Sequence, residues 1–409
     1  MNQGKLFEEI LKPANRPNPY PLYSQFRATP VSKQEDGTYV VSTYREIVSL
    51  LHDPRISSDL RKSNRGSGEL ARKIESGNLE PAFIFRDPPD HDRLRSIVMH
   101  EFTPERVEGM HDRVTRLVNK LIDAKKSDHG QLDIVDDFAH PLPVAVISEM
   151  LGVPAEDTPR FEVWVPLLVR ILEPEQAVSK TETEQAGQAA AEMRDYLSDL
   201  IASRRARPAS DLISGLATMM MTSNNQTVQM NDEELLTISI LLIGAGYETT
   251  VNLITNSMLT LLRHPDALAK LQRDPNSVIR TVEEVLRFDP PVHFRIRTTL
   301  TDIDIAGVTI PKGATVILLF ASGNRDPARF VEPDRFAPDR PDNQHLGFGG
   351  GIHYCVGAPL ARLETHIALS TLVSRLVAPC LVTDPPAYRR NASLRGPQHL
   401  MVAFDRIES

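Results

Sequence analysis

Apolar side chains recur at three- and four-residue spacing along most of this chain, which is the pattern of amphipathic helices. The stretches with this spacing are 105–124, 184–205, 231–264, 277–288 and 358–377. Strand-like stretches are fewer and shorter, and they are 38–43, 296–310 and 315–320. The pattern therefore predicts a mainly α fold with a small β region, an α+β arrangement.

The longest predicted helix follows Asn231, whose side chain can cap it, while Glu234 can complete a capping box. It ends before Pro265, because a residue that precedes proline rarely adopts the α conformation. Its first half, LLTISILLIGA, is apolar on every face, which predicts passage through the protein core. At about twelve residues this run is too short to cross a bilayer.

The chain of 409 residues shows no internal repeat, no low-complexity tract and no long Gly/Ser-rich linker. We therefore expect a single domain over 1–409, although length alone would suggest two or three. The 31 prolines gather in connections such as RPNPYP and RDPPDH, which predicts long, ordered loops.

A formal charge of −8 argues against a nucleic-acid partner, because phosphate binding needs a basic surface. The N-terminal stretch lacks the apolar core of a signal peptide, and no apolar run reaches the ~18 residues of a membrane span. These features predict a cytoplasmic protein without a membrane partner. Only two cysteines occur, so no disulfide framework is expected, and Cys380 among apolar neighbours is predicted to be buried.

The segment GAGYETT interrupts the long apolar helix. Gly244 and Gly246 weaken helix propensity, and Glu248 and Thr249 introduce polar groups. One interpretation is structural, with glycine allowing close packing and threonine bonding back to the preceding turn. The other is functional: the helix bulges over a bound group, and Glu248 and Thr249 form an acid–alcohol relay for protons. The segment alone favours neither.

Cys355 lies in GFGGGIHYCVGAPLARLE, just before a helix that Pro359 can start. Free N–H groups and the dipole at a helix N-terminus favour a thiolate. The surrounding glycines keep side chains away, so a planar macrocycle can lie against the loop while the sulfur ligates its metal. The sequence therefore predicts a metal ligand at Cys355.

Two other chemistries are conceivable for the residues of this loop. A zinc site would use His345, His353 and Cys355, but zinc sets usually draw on two or more cysteines in tight pairs. A nucleophilic cysteine would use His353 as its base, but no elbow motif is present. Both are disfavoured.

The segment EEVLR places Glu284 and Arg287 one helical turn apart, where they can pair. The prolines that follow end this helix, and the chain enters a strand that carries Arg295 and Arg297.

These motifs together resemble the cytochromes P-450 of the soluble bacterial type. The haem-ligand signature F-x-x-G-x-x-x-C-x-G is present as FGGGIHYCVG, from Phe348 to Gly357. A-G-x-E-T at 245–249, E-x-x-R at 284–287 and NRDPARFVEPDRF follow the family's order. The resemblance implies a single-domain fold, a triangular prism of helices around a buried haem.

The resemblance also implies roles for residues around haem b. Cys355 would be the axial thiolate ligand, Phe348 and Ala245 would border the haem, and the propionates would be bound by His91, Arg95, Arg297 and His353. Glu284, Arg287 and Arg335 would form salt bridges that brace the ligand loop.

The expected activity is that of a monooxygenase, which inserts one atom of dioxygen into a lipophilic small molecule, with Glu248 and Thr249 moving protons. Hydroxylation or epoxidation of a secondary metabolite is expected, with substrate contacts at Phe83, Ala245, His293 and Leu394. Electrons would come from NAD(P)H through a separate ferredoxin and ferredoxin reductase, with Arg93 and Arg362 as candidate docking residues. The alternatives are a non-catalytic haem-binding sensor and a peroxide-using haem-thiolate enzyme, and the acid–alcohol pair argues against both.

Overall fold

The computed structural model describes residues 3–64, 80–125, 130–170, 179–223 and 226–408. Helices dominate this part of the chain, and the sheets are small, as predicted. The predicted helix at 105–124 divides into two helices at Gly109, and the predicted strand at 296–310 divides into three strands.

The helices are, in chain order, α1 (Leu6–Leu11), α2 (Tyr20–Arg27), α3 (Tyr44–Leu51), α4 (Asp90–Met99), α5 (Pro104–Glu108), α6 (His111–Asp123), α7 (Pro141–Met150), α8 (Thr158–Arg170), α9 (Lys180–Ala206), α10 (Leu212–Thr218), α11 (Asp232–Arg263), α12 (Pro265–Arg273), α13 (Val278–Phe288), α14 (Phe320–Gly323) and α15 (Ala358–Arg375). Short 3₁₀ turns include Phe83–Phe85 and Gly351–His353, and a π-helical turn spans Ile134–Ala139.

The strands are β1 (Val31–Lys33), β2 (Tyr39–Val41), β3 (Ile56–Ser57), β4 (Gln131–Asp133), β5 (Met221–Ser223), β6 (Gln226–Val228), β7 (Arg295–Thr299), β8 (Ile303–Ile305), β9 (Val308–Ile310), β10 (Thr315–Leu318), β11 (Leu376–Val377), β12 (Cys380–Leu381), β13 (Met401–Ala403) and β14 (Arg406–Ile407). The largest sheet has five strands in the order β1-β2-β10-β7-β3, with β10 parallel to β2 and antiparallel to β7. A three-stranded sheet has the order β12-β13-β4.

Helix α11 is the central element of the core. The Asn231 side chain accepts from the Glu234 N–H, and the Glu234 carboxylate accepts from the Asn231 N–H, so the predicted capping box is confirmed. The helix packs against α7, α13 and α15. Of the described helices, α11 alone has the length and apolarity of a membrane span, and 56% of its most apolar window is buried inside the protein. Burial against neighbouring helices explains this composition.

The predicted pair of Glu284 and Arg287 is fully enclosed between α13 and the segment that follows β10. The Arg287 guanidinium donates to both carboxylate oxygens at 2.8 Å. It also donates to the backbone oxygens of Asn324 and Pro333, at 2.9 and 2.8 Å. A buried charge needs such complete pairing, because its hydration is lost.

The prediction that the Arg335 side chain joins this cluster is wrong. Its guanidinium is exposed and pairs with Glu332 at 2.9 Å, and only its backbone oxygen accepts from Arg287. The arginine beside Glu284 is Arg340, whose Nε lies 3.5 Å from the carboxylate and whose side chain is 8% exposed. Arg340 also donates to the backbone oxygens of Val331, Glu332 and Arg335.

The second cysteine also differs from its prediction. Cys380 lies in β12 at the edge of the three-stranded sheet, and its side chain is exposed rather than buried. Apolar sequence neighbours did not indicate its orientation, because successive strand side chains face opposite sides.

We expect Arg340→Met to destabilise the protein by roughly 2–4 kcal/mol, because the buried Glu284 loses a neighbouring cation and three carbonyl groups lose donors. Arg335→Met is the matched control and should change the free energy of unfolding by less than about 0.5 kcal/mol. Urea unfolding of the two variants measures both effects. Equal destabilisation by the two substitutions would contradict this assignment.

Glu364 is a carboxylate of α15 that is 3% exposed, and its Oε2 has no hydrogen-bond partner among the described residues. Burial raises the pKa of Glu364 from 4.5 to about 8. The folded protein therefore binds more protons than the unfolded chain between these two values, and stability falls as the pH rises through this window.

Glu364→Gln removes this penalty with nearly the same side-chain shape. The stability of the variant relative to the unsubstituted protein should rise from pH 4.5 to about pH 8 and then stay constant. The gain should be about 1.4 kcal/mol per pH unit within that window. Urea unfolding at a series of pH values checks this, and a difference that does not vary with pH would count against a neutral Glu364.

Candidate functional site

The loop that carries Cys355 folds back on itself before α15 begins. The Cys355 N–H donates to the Phe348 carbonyl at 3.0 Å, and the Gly357 N–H donates to the Cys355 sulfur. Gly351 has φ +63°, and a Cβ at this position would lie 1.9 Å from the Leu51 oxygen. This glycine therefore makes room for the end of α3, whereas a Cβ on Gly357 would meet only open space.

The Cys355 thiol faces an internal space. Its side chain is exposed by surface area, yet desolvation raises the pKa of the Cys355 thiol, because the space around it is enclosed by protein. The Gly357 N–H and Arg95 act in the opposite direction and do not outweigh desolvation. Desolvation therefore opposes the thiolate, whereas the N–H groups at the start of α15 favour it, as the sequence predicts.

His91 and His353 meet beside this loop, with ring centroids 4.4 Å apart. The Nε2 atom of His91 and the Nδ1 atom of His353 are buried and have no hydrogen-bond partner among the described residues. Burial, with the nearby arginines, lowers the pKa of His353 to about 3, so this ring is neutral. Two adjacent buried ring nitrogens without partners indicate that a polar ligand group belongs here.

Three arginines border the same region. Arg95 donates to the Tyr354 carbonyl at 2.7 Å, and burial lowers the pKa of Arg95. Burial lowers the pKa of Arg297 to about 10, and the positive charge of Arg295 contributes to this shift. Arg295 is exposed by surface area. Even so, burial lowers the pKa of its guanidinium, and the nearby Cys355 raises that pKa. Arg295 therefore faces the same internal space as Cys355.

Helix α11 contributes a stripe of accessible residues at four-residue spacing. Ala245 is exposed, and Leu241 and Thr249 are half-buried, although most of the helix is buried. The helix is continuous through Gly244 and Gly246, and its hydrogen-bonded pattern shows no break where the bulge was predicted. The Thr249 hydroxyl donates to the Ala245 carbonyl at 2.7 Å, which is the back-bond of the structural interpretation.

The Glu248 side chain, next to Thr249 in sequence, is buried. Its Oε1 atom lies 3.0 Å from a terminal nitrogen of Arg389, and the two side chains are 6% and 12% exposed. The predicted acid is therefore held in an ion pair with the C-terminal part of the chain.

The predicted substrate residues do not share one surface. Ala245 faces accessible space, whereas Phe83, His293 and Leu394 are 3%, 0% and 5% exposed. The His293 Nδ1 lies 2.6 Å from the Tyr23 hydroxyl, and burial lowers the pKa of His293 to about 3. An enclosed ring that bonds to α2 does not line an open pocket, so the prediction for His293 is not supported by this geometry.

Other predicted residues have partners of their own. Phe348 packs its ring under the Arg362 guanidinium, 4.5 Å from the ring centroid. Arg362 also pairs with both oxygens of Glu283, and Arg93 pairs with Glu234. The positive charges of Arg362 and Arg93 are therefore largely neutralised by these carboxylates. This pairing weakens the prediction that the two arginines form a docking surface for a ferredoxin.

The zinc alternative does not form in the described part of the chain. His345 lies 3.1 Å from Glu283 and accepts from the Gly347 N–H, so both ring nitrogens are occupied. The one metal-like cluster among the described residues is Asp133, Asp136 and His399, which does not include Cys355.

Comparison with known proteins decides the family. The Cytochrome P450 family model matches residues 40–404. This chain belongs to the cytochrome P450 family. It is 39% identical to the P450 monooxygenase PikC of Streptomyces venezuelae, over 95% of this chain and 92% of PikC. It is 38% identical to 6-deoxyerythronolide B hydroxylase of Saccharopolyspora erythraea, over 94% and 96% of the two chains.

Solved structures agree with this assignment. The P450 CYP109Q5 from Chondromyces apiculatus matches with a TM-score of 0.87 and 32% identity, over 98% of each chain. Mycobacterium smegmatis CYP164A2 matches with a TM-score of 0.86 and 38% identity, over 98% of this chain and 100% of that structure. The protein is therefore an oxidoreductase of the P450 monooxygenase type with the single-domain fold of that family.

The P450 family implies haem, and the described residues of this P450 fit it. A haem carries two carboxylates, and the site offers two unpartnered histidine nitrogens and three desolvated guanidinium groups. Two buried propionates need such partners.

Sequence reasoning missed Arg295 as a site residue and Arg389 as the partner of Glu248. Arg295 lies two residues before Arg297 on β7, and side chains two apart on a strand share a face, so this signal was available. Arg389 lies more than a hundred residues from Glu248, and no local pattern joins them.

We expect Arg297→Leu to lose haem at least about tenfold faster than the unsubstituted protein, because one charge-assisted bond to a carboxylate is worth about 1.5–3 kcal/mol. Transfer of haem to an excess of apomyoglobin measures this rate. Arg390→Leu is the control, since Arg390 is exposed and should leave the rate unchanged. An unchanged rate in Arg297→Leu would remove Arg297 from the set that binds the cofactor.

Proposed function

We propose that this P450 inserts one atom of dioxygen into a lipophilic small molecule by hydroxylation or epoxidation, while the other oxygen atom leaves as water. The observation that carries the proposal is the position of Cys355, in a glycine loop beside the unpartnered His91 and His353 nitrogens. A thiolate-bound haem supplies electron donation that favours cleavage of the O–O bond.

The protein residues would hold the haem through its metal and its two carboxylates. Cys355 would supply the axial thiolate, and the raised pKa of the free thiol means that metal binding and deprotonation occur together. His91, Arg95, Arg297 and His353 would bind the propionates, and Arg295 adds a further cation on the same wall.

Proton delivery would depend on α11. The Thr249 hydroxyl lies beside the Ala245 carbonyl. Glu248 precedes Thr249 on the same helix, and its side chain is buried in the protein interior. The hydroxyl can hold a water molecule near the substrate, and the Glu248 carboxyl group, once protonated, can pass its proton toward that water. Ala245 has the smallest side chain after glycine and leaves room for the substrate.

The substrate is proposed to be a lipophilic secondary metabolite. The stripe of α11 that faces accessible space is apolar except for Thr249. Among relatives, one is named as the hydroxylase of 6-deoxyerythronolide B and another as a polyketide biosynthesis P450. Two relatives have been solved in complex with testosterone and with myristic acid, which are also lipophilic.

Electrons are proposed to come from NAD(P)H through a separate ferredoxin and ferredoxin reductase in the cytoplasm. The two cysteines in these 409 residues are too few to bind an iron–sulfur cluster. The acid–alcohol pair Glu248 and Thr249 favours this route over use of peroxide, and it has no purpose in a gas sensor.

The test begins with a panel of lipophilic compounds, in which ligands are found by displacement of iron-bound water in the haem spectrum. Each hit is then incubated with a surrogate ferredoxin, its reductase and ¹⁸O-labelled dioxygen. Mass spectrometry should find one labelled oxygen atom in the product. Products without the label would contradict the proposal.

The two cysteines provide a matched pair of variants. Cys380→Ala should keep the absorption band that a thiolate-bound haem gives after reduction and carbon monoxide, because Cys380 is an exposed strand residue. Cys355→Ala should lose both this band and the labelled product. A retained band in Cys355→Ala would overturn the assignment of the ligand.

A further inference from the structure

The buried carboxylate of Glu248 has a specific cation partner. Arg389 Nη1 lies 3.0 Å from its Oε1, and both side chains are nearly enclosed. An arginine in such a position favours the ionised form of the carboxylate, whereas burial alone favours the protonated form. The charge of Glu248 therefore depends on a residue outside α11.

The second nitrogen of the same guanidinium continues the network. Arg389 Nη2 donates to His140 Nε2 at 2.5 Å, just before α7. Guanidinium groups only donate, so this Nε2 carries no proton and His140 is neutral with its proton on Nδ1. Burial and the Arg389 charge lower the pKa of His140 to about 3, which agrees with this tautomer.

The network reaches the surface on the far side of His140. His140 Nδ1 lies 3.4 Å from Asp136, whose side chain is 48% exposed. The other Asp136 oxygen lies 3.1 Å from His399 Nδ1, and His399 also lies 2.8 Å from Asp133. Burial and the neighbouring Asp133 charge raise the pKa of Asp136. A continuous row of polar groups therefore leads from the surface to Arg389.

Tyr247 is a further titratable residue that lies beside this row of polar groups. Its ring centroid lies 5.6 Å from that of His140, and its buried hydroxyl has no hydrogen-bond partner among the described residues. Burial raises the pKa of Tyr247, so the hydroxyl stays protonated.

The backbone on both sides of Arg389 is fixed against the core. The Arg389 N–H donates to the Gly396 carbonyl at 3.2 Å, and a Cβ on Gly396 would lie 2.1 Å from the Asn252 side chain of α11. Asn256, one turn further on, donates to the Arg395 carbonyl at 3.1 Å. Arg389 is therefore held by packing as a fixed part of the interior.

We propose that Arg389 is a positioning residue of the proton relay, which holds Glu248 as a carboxylate and joins it to the row of His140, Asp136 and His399 that leads to solvent. The inference rests on the proposed oxygenase function for the role of Glu248. No proton passes through the Arg389 guanidinium, which stays protonated. Glu248 takes up a proton from solvent only when its contact with Arg389 opens, and it then passes the proton toward Thr249.

The test is Arg389→Gln in the haem-loaded protein. Without the cation, Glu248 should remain protonated to higher pH, with its midpoint raised by about 1–3 pH units. Infrared difference spectroscopy detects the C=O stretch of the protonated carboxyl group during a pH titration. The band should appear near neutral pH in Arg389→Gln and be absent at that pH from the unsubstituted protein, and Glu248→Gln in the same background should remove it.

Two further variants separate charge from packing. Arg389→Lys keeps the cation and should return the midpoint most of the way to that of the unsubstituted protein. Arg390→Gln removes an exposed neighbouring charge and should leave the midpoint unchanged. A purely structural role for Arg389 would change thermal stability but not this midpoint.

An unchanged Glu248 midpoint in Arg389→Gln, or in the equally uncharged Arg389→Met if the first variant does not fold, would overturn the proposal. The infrared result does not depend on turnover. A shifted midpoint in a protein that forms no labelled product would therefore contradict the oxygenase function and leave the ion pair standing, so the two failures are distinguishable.

Discussion

The buried guanidinium of Arg287 is the interaction on which the cysteine-bearing part of the chain depends. It is fully enclosed, and its donors reach both oxygens of Glu284 and the carbonyls of Asn324 and Pro333. The Asn324 side chain in turn accepts from the N–H of Leu346, which begins the approach to the cysteine loop. Because a buried cation is costly unless each donor is satisfied, the pair fixes the course of this segment. These contacts thus help to position the cysteine loop.

The cofactor wall, which consists of His91, Arg95, Arg295, Arg297 and His353, shows the opposite arrangement, since its arginines have no carboxylate partner among the described residues. Burial lowers the pKa values of Arg95, Arg295 and Arg297, and in the described part of the chain no carboxylate lies within ion-pair distance of them. The same wall contains the orphan nitrogens of His91 and His353. A ligand with two carboxylates offsets these costs, so its binding stabilises the folded state by mass action. The charges of Arg287 and Glu284, which stabilise the fold, are thus paired within the protein, whereas the arginines that would bind the cofactor remain available to the ligand.

The sequence was most informative where the relevant geometry is local. The capping box of α11 and the one-turn pair of Glu284 and Arg287 follow from helical spacing alone, and the structure confirms both. Neither periodicity nor a motif distinguishes Arg340 from Arg335, because an irregular loop decides which side chain turns inward. The burial of His293 against Tyr23 depends on the packing of α2, which no local pattern reports. Prediction therefore failed at contacts that join distant segments.

Helix α11 shows how one element satisfies two opposing requirements. Its apolar faces bury it in the core, yet the chemistry needs an acid in its middle, and an unpaired buried carboxylate would be protonated or destabilising. The compensation is non-local: Arg389 reaches the carboxylate from a segment that Gly396 and Asn252 hold in close contact. A side chain larger than glycine at 396 would move this segment away from the helix. The buried acid in α11 is therefore stabilised by tertiary packing, and glycine at 396 lets the segment that carries Arg389 lie against the Asn252 side chain.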